Sequence, residues 1–273
     1  MSNLPIMSPE AQVEAIKAVD KHVGETYDNL INVPSKGIGE ILNIIYKGML
    51  AKAEFKGYAK SQYYAAAQEK FKQKLQENID KIPFNKFVMP DINTILQIVD
   101  SAECCITDDN LRNMFTKLIA SAINSDTVNS VHPAFATILK QMNYMDAKLV
   151  ISFKINPMQP ISNIIYHNNN NSYKTIYSSL FLINGVISDK QNLVELGISN
   201  LTRLGIIEVD YNSALSDDKN YADIQAASKS IIDGILSSEE YKDLGVTDPT
   251  KTDLKNGIVQ LTELGHNFIL VCC

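Results

Sequence analysis

The apolar series Leu111, Met114, Phe115, Leu118, Ile119 and Ala122 limits what this chain can fold into more than any other feature. Its offsets (i, i+3, i+4, i+7, i+8, i+11) repeat with the period of an α-helix, about 3.6 residues, and fit no strand. A stripe this wide must be buried against other apolar surface, so the helix needs partners. The next residues supply them. Asn124-Ser125-Asp126 are turn formers. A second helix then opens at His132-Pro133, with Phe135, Ile138, Leu139 and Met142 facing inward. Pro133 suits the first helical position, because the N–H it lacks would be unsatisfied there, and His132 falls at the cap. A third helix starts at Asp146, also a capping residue type, and carries Leu149, Val150 and Phe153 until Pro157 and Pro160 stop it. Upstream, Thr107 is the expected cap of the first helix. Asp108 and Asp109 put negative charge in its first turn, where the helix dipole favours it.

Ahead of this stretch the pattern is helical throughout. Ser8 and Pro9 start a helix over 8–31, and Asn32-Val33-Pro34-Ser35 break it. Residues 37–51 are apolar over more than half a helical circumference, which predicts burial between other helices. The competing reading is a membrane-active helix, which Glu40 and the shortage of basic residues argue against. Lys47 to Lys81 follows as a polar helix with eight lysines against four acids. Tyr58, Tyr63, Tyr64 and Phe71 interleave with that charge and could stack on bases. At helical spacing, aromatics belong more often to a core, and Glu69, Lys72, Gln73 and Glu77 read as a solvated face. Ile82 to Pro90 is a proline-bounded extended connector, after which Asp91 caps a helix that runs to about Cys105.

The last third changes character. Ile161 to Tyr166 and Thr175 to Ile187 have strand composition, and four consecutive asparagines from Asn168 separate them as a loop. Asp189 to Leu204 is helical, with Leu193, Leu196, Gly197, Leu201 and Leu204 inward. Short strands follow at Ile206–Val209 and Gly257–Leu261, and Thr262 caps a closing helix. Between the strands lies an acidic insertion over about 210–254 that is part helical from Ala222 to Leu236. Helix, strand, excursion, strand, helix is the order of a winged helix with an enlarged wing. The expected fold is therefore mainly α: a helical domain over 1–143, then an α+β winged-helix-like domain over 144–273.

A winged helix raises the question of DNA. Residues 189–254 carry six Lys/Arg against thirteen Asp/Glu, and the helix that would read bases has only Lys190 and Arg203, opposed by Glu195. Duplex phosphates would repel such a surface. The whole chain is acidic as well, with net charge −6 over 273 residues. The N-terminus has no basic region followed by an apolar one, so no signal peptide is expected, and no uncharged apolar run reaches membrane-spanning length. Cys104-Cys105 and Cys272-Cys273 are adjacent pairs rather than CxxC chelates, which reads as reduced thiols in the cytoplasm. His266 with Cys272 and Cys273 falls short of a closed zinc set. No phosphate-binding loop, dinucleotide fingerprint, HExxH or nucleophile-elbow motif is present. These readings lean away from an enzyme, with no catalytic residue, cofactor or metal expected. The residues singled out are structural or interaction candidates: Arg112, Phe115, His132, Pro133, Asp146 and Arg203.

Three segments carry a family likeness. Leu111 to Asn124 (LRNMFTKLIASAIN), His132 to Met142 (HPAFATILKQM) and Asp146 to Val150 (DAKLV) resemble the bacterial abortive infection alpha family. The tail agrees through NLVELGISNLTRLGIIE (Asn192 to Glu208) and LTELGHNFILVCC (Leu261 to Cys273). Pro34 to Leu42 and Pro83 to Ile92 are similar more loosely, while the asparagine run and the acidic insertion depart from the family pattern. The resemblance implies a part in defence against phage, with arrest or death of the host cell as the outcome. It brings no catalytic residues to carry over. The expected partner is a protein of phage or host rather than nucleic acid or membrane, and a homo-oligomer is compatible with the sequence. The alternatives are a nucleic-acid-binding regulator using helix 47–81 and a membrane-perturbing effector using helix 37–51.

Overall fold

A computed structural model describes Ile45, Lys47, residues 62–168 and residues 172–273. The expected helix over 8–31 and the break at Pro34 lie outside the described residues, as do Tyr58, Asn169 to Asn171 and all of 37–61 except Ile45 and Lys47. The chain divides into two compact units, residues 1–140 with Cys272 and residues 141–271 with Cys273.

The first unit contains α1 (Gln62–Ile79), α2 (Ile92–Ala102), α3 (Asp109–Ala122) and α4 (Ala134–Lys140). The apolar stripe of α3 sets the packing. Phe115, Leu118 and Ile119 are fully buried, and α3 packs on α1, α2 and α4. Its cap is Asp108 rather than the expected Thr107; one carboxylate oxygen accepts from the N–H groups of Asn110 and Leu111, both at 2.9 Å. On α1, Tyr64, Phe71, Leu75 and Ile79 face inward while Glu69, Lys72, Gln73 and Glu77 face solvent. The aromatics of this lysine-rich helix therefore divide: Tyr64 and Phe71 join the core, and Tyr63 is exposed. Asp91 caps α2 by accepting from Thr94 N–H at 2.8 Å.

The second unit contains α5 (Tyr144–Phe153), β1 (Met158–His167), β2 (Tyr173–Leu180), α6 (Gln191–Arg203), β3 (Ile207–Asp210), α7 (Ala222–Ser237), α8 (Glu239–Asp243), β4 (Thr252–Leu261) and α9 (Glu263–Cys272). The strands form one antiparallel sheet in the order β2-β1-β4-β3. Its centre is the β1–β4 pair, in register from Met158 opposite Gln260 to Tyr166 opposite Thr252.

This sheet corrects the expected mainly α, winged-helix architecture: the fold is α+β. A wing is a solvated excursion, whereas the insertion after β3 folds back onto the sheet. Tyr221, Ile224, Ile235 and Val246 form one core with Ile164 and Tyr166 of β1 and with Ile176 and Leu180 of β2. The two acids of α7, Asp223 and Asp233, are exposed, while Ile224 and Ile235 of the same helix cover the sheet. Net charge over the segment concealed that amphipathic pattern. A second correction concerns α6, where Leu196 is 61% exposed and Val194 and Ile198 are buried instead.

Two glycines fix how α6, β3 and α9 join. Gly205 has φ +72°, the left-handed conformation a non-glycine residue adopts only at a cost. It closes α6 in a Schellman motif, with Ile206 N–H donating to Leu201 O and Gly205 N–H to Thr202 O, both at 3.0 Å. At Gly265 in α9, an added Cβ would lie 2.0 Å from the carbonyl oxygen of Ile206. Thr262 caps α9 by accepting from Gly265 N–H at 3.0 Å, and Phe268 is fully buried. The Leu-Thr-x-x-Gly-x-x-Phe tail motif thus encodes a cap, a close approach and a core anchor. No helix among the described residues is long and apolar enough to cross a membrane.

Candidate functional site

Helix α6 carries polar groups on two faces of the second unit. Toward α5 it presents Gly197 and Asn200, with Arg203 one turn further on. The α5 partner is Asp146, which is fully buried. Asp146 is the third residue of the helix, not its cap; the cap is Asn143, and the two form a reciprocal capping box. One oxygen of Asp146, Oδ2, accepts from Asn143 N–H at 2.8 Å and from the Asn200 amide at 2.9 Å. The other, Oδ1, has no partner and faces Gly197, where an added Cβ would lie 3.1 Å away. Burial raises the Asp146 carboxyl above its ordinary value, while the bonds from Asn143 and Asn200 and the charge of Arg203 oppose the shift. Arg203 completes the network by donating to Asn200 Oδ1 at 2.7 Å and to Gln141 Oε1 at 3.0 Å.

Toward β2, α6 presents Gln191 and Glu195, four residues apart and so on one face. Here β2 is irregular against β1, with register shifts between Ser162 and Ile165 of β1. Ser179 takes φ +55° at this bulge, and its N–H donates to Asn163 Oδ1 at 2.9 Å. Beside the bulge, Tyr177 and Glu195 interact, and each shifts the other's titration. Burial raises the Glu195 carboxyl, and the Tyr177 bond opposes it. Burial and then the Glu195 bond push the Tyr177 phenol up. Tyr211 lies 3.5 Å from Ser179 Oγ, its phenol raised by burial. Glu195 Oε1 and Gln191 Oε1 are both buried without a hydrogen-bond partner, while Gln191 Nε2 donates to Phe181 O at 3.1 Å. This cluster holds a protonatable carboxyl and spare acceptors. Burial raises both of its phenols and so keeps them protonated, which suits hydrogen bonding rather than nucleophilic attack.

The residues singled out from sequence fall in three places. Asp146 and Arg203 meet in one network through Asn200. Arg112 and Phe115 lie on α3, where buried Arg112 donates to Ile106 O at 2.7 Å and pairs with Asp109. His132 and Pro133 are exposed at the start of α4, where His132 Nδ1 accepts from Ala134 N–H at 3.1 Å. His266 is exposed on α9. Among the described residues, no group of three or more His, Cys, Asp or Glu side chains is placed to hold a metal ion. Tyr177 and Tyr211 carried no sequence signal, because the bulge that places them depends on strand register. Gln191 and Glu195 left a faint one, as a polar i, i+4 pair beside the apolar line Val194, Ile198 and Leu201.

No curated protein and no solved structure matches the chain. The family model for abortive infection alpha matches residues 63–272, from the start of α1 to the end of α9. That span takes in the three-sided packing of α3, the capped junctions of α5 and α6, and the whole sheet, so the chain belongs to the abortive infection alpha family.

Proposed function

We propose that this chain defends a bacterial cell against phage by binding a protein of phage or host, and that it acts in the cytoplasm without catalysing a reaction. The observation that carries this reading is the family match over residues 63–272, since the family suggests a role in abortive infection. Binding is favoured over catalysis by how the polar candidates are used. Asp146 joins a helix cap to α6, Arg112 holds the Ile106 carbonyl, and His132 caps a helix start. Contact surface is supplied instead by apolar side chains left in solvent at one end of the second unit. Ile155 is 84% exposed and Leu270 59%. Between Ile151 and Ile155 in sequence, Lys154 donates to the Cys273 carbonyl at 2.7 Å, which ties the end of α5 to the end of α9. Exposed apolar residues on joined elements are the usual core of a protein contact. The acidic balance of residues 189–254 disfavours phosphate-rich partners. None of the four cysteines forms a disulfide, which suits a reducing compartment.

The test is phage plating on a sensitive host that expresses the chain. Fewer plaques, with loss of infected cells, is the expected result; unchanged plating across a broad phage panel would refute the defence reading. The double variant Ile155→Asp, Leu270→Asp, shown by circular dichroism to be folded, should lose protection. If it protects fully, this surface is not the contact.

A further inference from the structure

Neighbouring residues on a regular helix point about 100° apart, yet Cys104 and Cys105 bring their sulfurs to 3.4 Å. The cause is the turn after α2, whose backbone is held on both sides of the pair. Before it, the Glu103 carbonyl accepts from the Tyr64 hydroxyl of α1 at 3.2 Å. After it, the Ile106 carbonyl accepts from Arg112 of α3 at 2.7 Å. Within the turn, Cys105 N–H and Ile106 N–H both donate to Ala102 O, at 2.8 and 3.1 Å. Cys104 is exposed and Cys105 buried. The Cys104 thiol reaches Ser101 O at 3.4 Å, which leaves the Cys105 S–H to donate to the Cys104 sulfur. Burial first, and then that bond, push the Cys105 thiol up to about 12.

A separation of 3.4 Å lies between the roughly 2.05 Å of a disulfide and the roughly 3.8 Å that two sulfurs span on a tetrahedral zinc with bonds near 2.3 Å. Closing the pair to a disulfide would draw the sulfurs in by more than about 1 Å and strain the planar peptide between them. A soft centre bound by two thiols with a bond angle narrower than tetrahedral requires less movement. Thiol ligands select such soft centres.

We propose that Cys104 and Cys105 form a chelating dithiol site for one trivalent arsenical. Exposed Cys104 reacts first, and Cys105 closes the ring in a step made intramolecular by the pinned turn. Two S–H bonds and the arsenic–oxygen bonds break, and two As–S bonds form. The two thiol protons leave with the oxygen as water, and no electrons are transferred.

The probe is phenylarsine oxide added to the reduced, full-length chain. Intact mass should show one phenylarsenic per chain, and peptide mapping should place it across Cys104 and Cys105. The adduct should resist a glutathione wash and come off with dimercaptopropanol, as a two-sulfur chelate does. Iodoacetamide should alkylate Cys104 and spare Cys105, because Cys105 is buried and burial holds its thiol in the unreactive protonated form. Cys104→Ser and Cys105→Ser should each lose the wash-resistant adduct, while Cys273→Ser keeps it. No wash-resistant adduct on the unaltered chain, or one mapped to Cys272-Cys273, overturns the proposal. Mapping on the unaltered chain decides the matter even where a serine variant fails to fold.

Discussion

Replacing Gly265 by alanine tests the packing of α9 most directly, because its sign runs against helix propensity. In an open helix, glycine to alanine stabilises by about 0.5–1 kcal/mol. Gly234 in α7 is such a position, with nothing within 4 Å of an added Cβ. At Gly265 the same methyl would meet the Ile206 carbonyl oxygen at 2.0 Å and its carbon at 3.0 Å. Both are backbone atoms, so no side chain can swing aside, and α9 must retreat by about 1 Å to reach ordinary contact. The same carbonyl accepts from Thr262 N–H at 3.1 Å, and Thr262 Oγ1 also donates to Gly205 O. Retreat stretches the first bond beyond useful length and loosens the cap. Overpacking costs about 1–3 kcal/mol, a lost backbone bond about 0.5–1.5, and a weakened cap about 1. Against the propensity gain, a net loss of about 2–4 kcal/mol remains for Gly265→Ala. Gly234→Ala should gain up to about 1 kcal/mol. Urea unfolding followed by circular dichroism, with hydrogen exchange in β4 as the local probe, measures both variants. Equal stability of the two would refute the close-approach account.

Two further outcomes follow from buried polar groups. Asp146→Asn keeps both hydrogen bonds on one oxygen, since Asn143 and Asn200 already share Oδ2, so stability near pH 7 should change by less than about 1.5 kcal/mol. The pH dependence should separate the two chains. The folded carboxyl is raised above its ordinary 3.8, so its stabilising contribution is complete below that value and is lost as pH rises through the folded pKa. The stability of the unaltered chain relative to Asp146→Asn should therefore fall as pH rises from about 3.8, as parallel thermal melts would show; a pH-independent difference would contradict a raised carboxyl. Arg112→Ala should cost about 1.5–3 kcal/mol, because a charged donor to the buried turn at Ile106 is removed. A loss below about 0.5 kcal/mol in denaturant titration would show that water replaces that bond.

The sequence by itself determined the helices with one apolar stripe. Leu111 to Ala122 specified α3 and its burial, because the 3.6-residue period is a local property. Asp91, Thr262 and Gly205 marked helix ends for the same reason, since caps and left-handed turns depend on a few adjacent residues. The family likeness in the middle and tail was also legible there. Tertiary structure decided what depends on distant pairing. The four-stranded order and the return of α7 onto β1 and β2 replace the expected wing, because net charge says nothing of which face of a helix is apolar. The β2 bulge places Tyr177 beside Glu195, and a turn pinned by Tyr64 and Arg112 alone turns two adjacent cysteines toward each other. In each case residues far apart in the chain fix a side-chain direction that local propensity leaves open.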